Sequence, residues 1–170
     1  MKISDLKIAV ARKKLLALAE DSAVAGKSRK LGIILDAEDE NTFEAFLRLK
    51  QDLSLEEEDF HMVICRERGV KNAIFDTPVI SRKDLGWNGR SGEEVSAFLG
   101  AEYDVLVSFT ASENKMSNFL VSVSRARLKV GRLKEDKKGI FDLNISAELS
   151  SPEVFILELK KYLKILNTTT

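Results

Sequence analysis

YDVLVSFTASENKMSNFLVSVSRARLKVGR, residues 103–132, decides the fold. Val105 to Phe109 is a short apolar-rich run bounded by Asp104 and Thr110, the length and composition of a buried strand. Thr110 with Glu113 three residues later makes a capping box, and Met116, Phe119, Leu120 and Val123 then recur at helical spacing. Leu128 to Val130 resumes a strand that Gly131 ends. A strand, a helix and a second strand in succession form a βαβ unit, whose two strands are expected to run parallel.

The same alternation extends in both directions. Upstream, Leu31 to Leu35 is an apolar run closed by Asp36, and Phe60 to Cys65 is a second one. Between them Phe43, Phe46, Leu47 and Leu53 mark a helix, led by Glu38, Asp39 and Glu40, whose charge suits a helix N-terminus. Ala73 to Phe75 and Val79 to Ile80 read as short extended pieces around Pro78. The loop Leu85-Gly86-Trp87-Asn88-Gly89-Arg90 follows, then a second capping box, Ser91 with Glu94, and a short helix burying Val95, Phe98 and Leu99. At the front, Ile8, Ala11, Leu15 and Leu18 stripe a helix over residues 4–21, expected to pack on the sheet as part of an N-terminal segment 1–25.

Downstream, Phe141, Leu143 and Ile145 alternate with Asp142 and Asn144, which gives a strand with one covered face. The last helix starts at Ser151 with Pro152 in its first turn and turns Phe155, Leu159, Tyr162, Leu163 and Leu166 inward. Residues 168–170 are a frayed tail. The expected fold is α/β: one Rossmann-like three-layer sandwich over residues 1–170, with a mostly parallel sheet of about five strands. Only Arg132 to Gly139 separate the last two strands, too few for a crossover helix, so an antiparallel edge is expected there.

Composition removes several classes of function. The chain has 170 residues, with 27 Lys+Arg against 27 Asp+Glu, one cysteine and one histidine. An intramolecular disulfide and a Cys/His zinc cluster are therefore impossible; a carboxylate-only metal site survives that argument, but no metal residues are assigned and no cofactor is expected. The N-terminal stretch has no unbroken apolar core because Arg12, Lys13 and Lys14 interrupt it, and no apolar run approaches the roughly 20 residues that span a bilayer. A cytoplasmic protein with no transmembrane segment is the expectation.

The zero net charge is an average over segregated regions. Residues 1–30 hold eight basic and three acidic side chains, 36–59 two basic and ten acidic, and 125–138 seven basic and two acidic. Nucleic acid is disfavoured as a partner, because the balance is neutral and the basic stretches carry no interleaved aromatics. Solvated helix faces and loops explain most of the segregation; a protein partner, a homodimer or a small anionic ligand accommodates the rest.

Three candidate chemistries fail on geometry. Ala25-Gly26-Lys27-Ser28 resembles the end of a phosphate-binding loop, but Asp21 stands where the first glycine belongs and the segment runs from a helix into a strand. His61 and Cys65 share a strand face roughly 13 Å apart, too far for a nucleophile and its base. Asp36 closes one parallel strand and Asp104 opens another, so they lie at opposite ends of the sheet. No catalytic set is assigned.

What remains is position. Open α/β sheets bind ligands beyond the carboxyl ends of their strands, at the switch in strand order. Asp36, Arg66, Arg68, Ser108, Thr110 and Ser112 belong at that end, and a helix N-terminus at Ser112 to Asn114 offers free N–H groups and hydroxyls to a phosphate or carboxylate. The competing reading makes Thr110 and Ser112 mere caps of that helix. Trp87 and Arg90, in the glycine-rich loop, form a second candidate for a planar or anionic ligand.

Tyr103-Asp104-Val105-Leu106-Val107-Ser108, a helix, and Ser124-Arg125-Ala126-Arg127-Leu128-Lys129-Val130-Gly131-Arg132 resemble the N-terminal half of the heptosyltransferase-like glycosyltransferases. Those enzymes use a second Rossmann-like domain for the nucleotide sugar, for which this chain has no residues left, so no catalytic residue carries over. Taken with Gly86-Trp87, Phe141 to Ile145 and the closing ELKKYLKILN (158–167), the whole chain resembles an uncharacterised domain family of Bacteroidetes proteins. That resemblance implies a Rossmann-like fold and no known activity. The expected function is accordingly a non-catalytic or weakly ligand-binding α/β domain. The alternative is an enzyme or sensor that takes a small phosphorylated or nucleotide-sugar ligand at the strand ends.

Overall fold

A computed structural model describes residues 30–36, 39–66, 77–81, 84, 92–132 and 139–168. The helix expected over residues 4–21, the extended piece Ala73 to Phe75, the loop containing Trp87 and the cap Ser91 lie outside them, as do Glu38 and the tail 169–170.

Among the described residues, the strands are β1 (Leu31–Leu35), β2 (Phe60–Cys65), β3 (Val79–Ile80), β4 (Val105–Phe109), β5 (Leu128–Gly131) and β6 (Leu143–Asn144). The helices are α1 (Glu40–Asp52), α2 (Glu93–Gly100), α3 (Lys115–Val123) and α4 (Pro152–Thr168). The strands form one sheet in the order β3-β2-β1-β4-β5-β6, every pair parallel. This is the doubly wound order in which the chain reverses direction across the sheet between β1 and β4.

Each central strand divides its side chains between two cores because successive residues point to opposite faces. Leu31, Ile33 and Leu35 of β1 join Val105, Val107 and Phe109 of β4 under Phe46 and Leu49 of α1 and Phe155 and Leu159 of α4. Ile34, Val63, Cys65 and Leu106 face the other way, under Val95 and Phe98 of α2 and Met116 and Leu120 of α3. Two helices therefore cover each face. The near-continuous burial of β1 and β4 follows from it.

Three sequence expectations need correction. Among the described residues the sheet has six strands against the expected count of about five, and its last pair is parallel rather than antiparallel: Val130 pairs Leu143 and Gly131 pairs Asn144. The chain returns to the sheet through residues 132–142, close to the dozen residues that a parallel return needs, and a helix is the usual filling of such a crossover rather than a requirement. At the end of that return Phe141 lays its ring on Gly131, where a Cβ would come within 2.7 Å of it. Asp142 completes the ladder, its N–H donating to Lys129 O at 2.8 Å while its carboxylate accepts from Lys129 N–H at 2.8 Å.

The start of α3 also differs. Asn114, not Thr110, caps it, the side-chain oxygen accepting the Ser117 N–H at 3.0 Å. That later start rotates the buried stripe to Met116, Ser117, Leu120 and Val121 and leaves Phe119 and Val123 exposed. In α1 the acidic entry works as expected: Asp39 is the N-cap, accepting from Thr42 N–H and from its hydroxyl.

Candidate functional site

The carboxyl ends of β1, β2, β4 and β5 lie along one edge of the sheet, and hydrogen bonds between distant residues tie them together. Asp36, directly after β1, accepts the N–H of Ala111, just past β4, at 2.6 Å. Asn114 uses both ends of its amide: the oxygen caps α3, and the nitrogen donates at 3.1 Å to the carbonyl of Cys65, the last residue of β2. Arg132, just past β5, donates from Nε to Thr110 O at 3.1 Å and from Nη1 to Ala147 O at 2.9 Å. Asp36, Asn114 and Arg132, which a crevice would offer a ligand here, are thus engaged by the chain itself.

Beneath them is a triangle of buried hydroxyls. Ser108 Oγ lies 3.1 Å from Thr110 Oγ1 and 2.8 Å from Ser117 Oγ, and Thr110 Oγ1 lies 3.2 Å from Ser117 Oγ. All three residues are buried, Ser117 at 0% exposure, so the hydroxyls satisfy one another where water does not reach. They join the end of β4 to the first turn of α3. Ser108 and Thr110, expected at the ligand edge, are buried in this triangle, and neither is the N-cap of α3.

The other expected residues separate. Arg66 follows β2, its N–H donating to Ile80 O at 2.9 Å, with the side chain half-buried. Ser112 is exposed in the turn before α3, its hydroxyl donating to Glu113 Oε2 at 3.0 Å and its carbonyl accepting from Asn118 Nδ2. The Glu113 carboxyl is held below its usual range, first by its own backbone N–H and then by that hydroxyl. Arg68, Trp87 and Arg90 lie outside the described residues. Among those described, no group of three or more His, Cys, Asp or Glu side chains is placed to hold a metal, and no helix is long and apolar enough to cross a membrane.

His61 and Cys65 are confirmed on one strand and do different things. Tyr103 is 2% exposed, and its hydroxyl lies 3.1 Å from His61 Nδ1. Burial raises the Tyr103 pKa far above its ordinary value, so the hydroxyl keeps its proton. Cys65 is fully buried, and desolvation first, with the Asp36 charge second, pushes its thiol up strongly. Such a thiol is not a nucleophile. Asp104 sits at the far end of the sheet, as expected, where its carboxylate accepts the Lys30 N–H at 2.9 Å.

Sequence reasoning placed Asn114 at the helix N-terminus without its cap or its tie to β2, and missed Ser117 and Arg132. A signal for its role as cap was present, since an Asn just ahead of the apolar stripe that opens at Met116 is a favoured N-cap. Arg132 follows β5 just as Asp36 follows β1, which made it visible by the same positional rule.

Fold and edge together define a doubly wound α/β protein whose switch point is laced by its own side chains. The chain belongs to a family described as a family of unknown function (DUF6913), whose model matches residues 7–166. No curated protein and no solved structure matches it significantly.

Proposed function

We propose that the chain is a non-catalytic binding module in which the strand-end residues serve architecture rather than turnover. One observation carries this reading: the Asp36 carboxylate accepts the Ala111 N–H at 2.6 Å across the switch point between β1 and β4. A phosphate placed on that N–H would meet Asp36 at about 4 Å, a repulsion of ~4 kcal/mol at an effective dielectric of about 20. The arrangement thus weighs against the phosphorylated or nucleotide-sugar ligand that Asp36, Arg66, Ser108, Thr110 and Ser112 would otherwise suggest.

The rest of the reading is of one piece with this. Residues 1–170 act as one domain with the N-terminal helix packed on it, in the cytoplasm, where the buried free thiol of Cys65 stays reduced. The module works through a protein partner or a second copy, with no nucleic acid. The Bacteroidetes origin belongs to this proposal. The local likeness to heptosyltransferase-like glycosyltransferases adds no chemistry to it, because Ser108 and Asp104 are engaged within the chain.

The test is a screen of the full chain against nucleotides, sugar phosphates and coenzymes, read by turnover and by melting temperature. A bound ligand at 100 times its Kd would add ~2.7 kcal/mol, or about 5–10 °C for a chain of this size. The expected result is neither turnover nor a shift of that size. Turnover that vanishes in Asp36→Asn or Ser108→Ala would overturn the proposal.

A further inference from the structure

A groove of about 780 Å³ lies beside β2, flanked by α1 and α2. Small-molecule sites enclose roughly 300–1,000 Å³ and are mostly apolar with a few convergent polar groups. This groove is apolar on the α1 side, where Phe43 and Leu47 stand with Met62. Its charge has one sign. Lys50 is the one lysine or arginine lining it among the described residues, and Lys50 is ion-paired to Glu57. Glu93 and Glu94, in the first turn of α2, stand exposed and have no ion pair among the described residues. An anion entering the groove meets two carboxylates; a cation finds two counter-ions.

His61 adds a directional group to the same groove. Tyr103 is 2% exposed, its hydroxyl keeps its proton, and His61 Nδ1 lies 3.1 Å from that hydroxyl. A buried O–H left without an acceptor is costly, so Tyr103 donates to Nδ1 and the ring proton of His61 sits on Nε2. His61 is half-buried, and its Nε2–H has no acceptor among the described residues. The groove therefore offers one donor, two carboxylates and an apolar wall.

We propose that the groove binds a small organic cation: a primary ammonium paired with Glu93 and Glu94, an apolar body against Phe43, Leu47 and Met62, and a neutral carbonyl that accepts from His61 Nε2–H. The carbonyl belongs to an amide or ester rather than a carboxylate, because a carboxylate would face the two glutamates. This site goes beyond the binding-module reading, which concerns the strand ends. Its ligand has the opposite charge to the phosphates disfavoured there.

The probe is phenylalaninamide, which carries all three groups, compared on the full chain with N-acetylphenylalanine, an anion of similar size. His61 is the only histidine, so the NMR signals of its imidazole nitrogens report the groove directly. The free protein is expected to carry the imidazole proton on Nε2. Phenylalaninamide should shift those signals saturably and bind about fivefold or more tighter than N-acetylphenylalanine. Its affinity should fall about fivefold in the Glu93→Gln, Glu94→Gln double variant, the scale of two exposed ion pairs. No saturable shift, equal affinity for the two compounds, or unchanged affinity in the double variant overturns the proposal. So does a proton on Nδ1 in the free protein, which would take the donor away from the groove. Each of these failures leaves the reading of the strand ends intact, whereas turnover of a nucleotide or sugar phosphate removes that reading without touching the groove.

Discussion

Replacing Gly32 by alanine tests the packing that places Tyr103 against His61. Gly32 sits in β1 between His61 of β2 and Leu106 of β4. A Cβ there would come within 2.9 Å of two Tyr103 ring carbons and 3.0 Å of Leu106 Cδ1. The ring has nowhere to go, because its centroid lies 5.0 Å from that of Phe98 and 5.7 Å from that of His61, and its hydroxyl meets His61 Nδ1. Overpacking of this kind costs ~1–3 kcal/mol, and removing a glycine from a strand returns ~0.5–1 kcal/mol. The net expectation is a loss of about 1 kcal/mol, or about 2–4 °C in Tm for a chain of this size.

Urea unfolding followed by far-UV circular dichroism reads it, the midpoint falling with no change in slope. The same substitution in a Tyr103→Leu background, where the ring is gone, should lose most of its cost, a coupling of about 1 kcal/mol. A Gly32→Ala variant as stable as the parent, or one equally costly in both backgrounds, refutes the reasoning.

Two further predictions concern the buried acids and the switch point. Cys65 and Tyr103 have folded pKa values raised above the ordinary 9.0 and 10.0, chiefly by burial. Above those values the unfolded chain binds fewer protons than the folded one, so stability falls as pH rises, by up to ~1.4 kcal/mol per pH unit for each group. Urea midpoints measured across that range should decline in two stages, with Cys65→Ala removing the earlier one; a flat profile would contradict the burial of both groups. Asn114→Ala deletes the cap of α3 and the tie to Cys65 O together, for an expected loss of ~1–3 kcal/mol. If Asn114→Asp, which keeps the cap and lacks the donor, is as stable as the parent, the tie to β2 contributes nothing.

The layers were legible in the sequence because burial on a strand or a helix leaves a period. Leu31 to Leu35, Phe60 to Cys65 and Val105 to Phe109 all became strands at those residues. Periodicity fails where two local solutions compete. Thr110 with Glu113 satisfies the capping-box pattern, yet Asn114 caps α3 because the Thr110 hydroxyl is drawn into the triangle with Ser108 and Ser117. Moving the helix start by that much buries Ser117 and Val121 and exposes Phe119 and Val123, which no apolar count could foresee. The last strand pair was misread for a related reason: chain length sets whether a parallel return is possible, and the contact of the Phe141 ring with Gly131 beside the new strand is not visible as a period.

The strand-end residues pose a harder problem, since their type was legible and their use was not. Asp36 and Ala111 are 75 residues apart, and Asn114 and Cys65 are 49 apart. Only the strand order, which sets β1 beside β4 and β2 beside β1, brings them together. A carboxylate after the first strand of such a sheet reads as a ligand group because of where it stands. Its hydrogen bond to the Ala111 N–H gives that group another task, and hydrogen bonds to charged groups contribute ~1.5–3 kcal/mol. A ligand entering there must replace that contribution and also tolerate the Asp36 charge, which a cation or a neutral donor does and a phosphate does not.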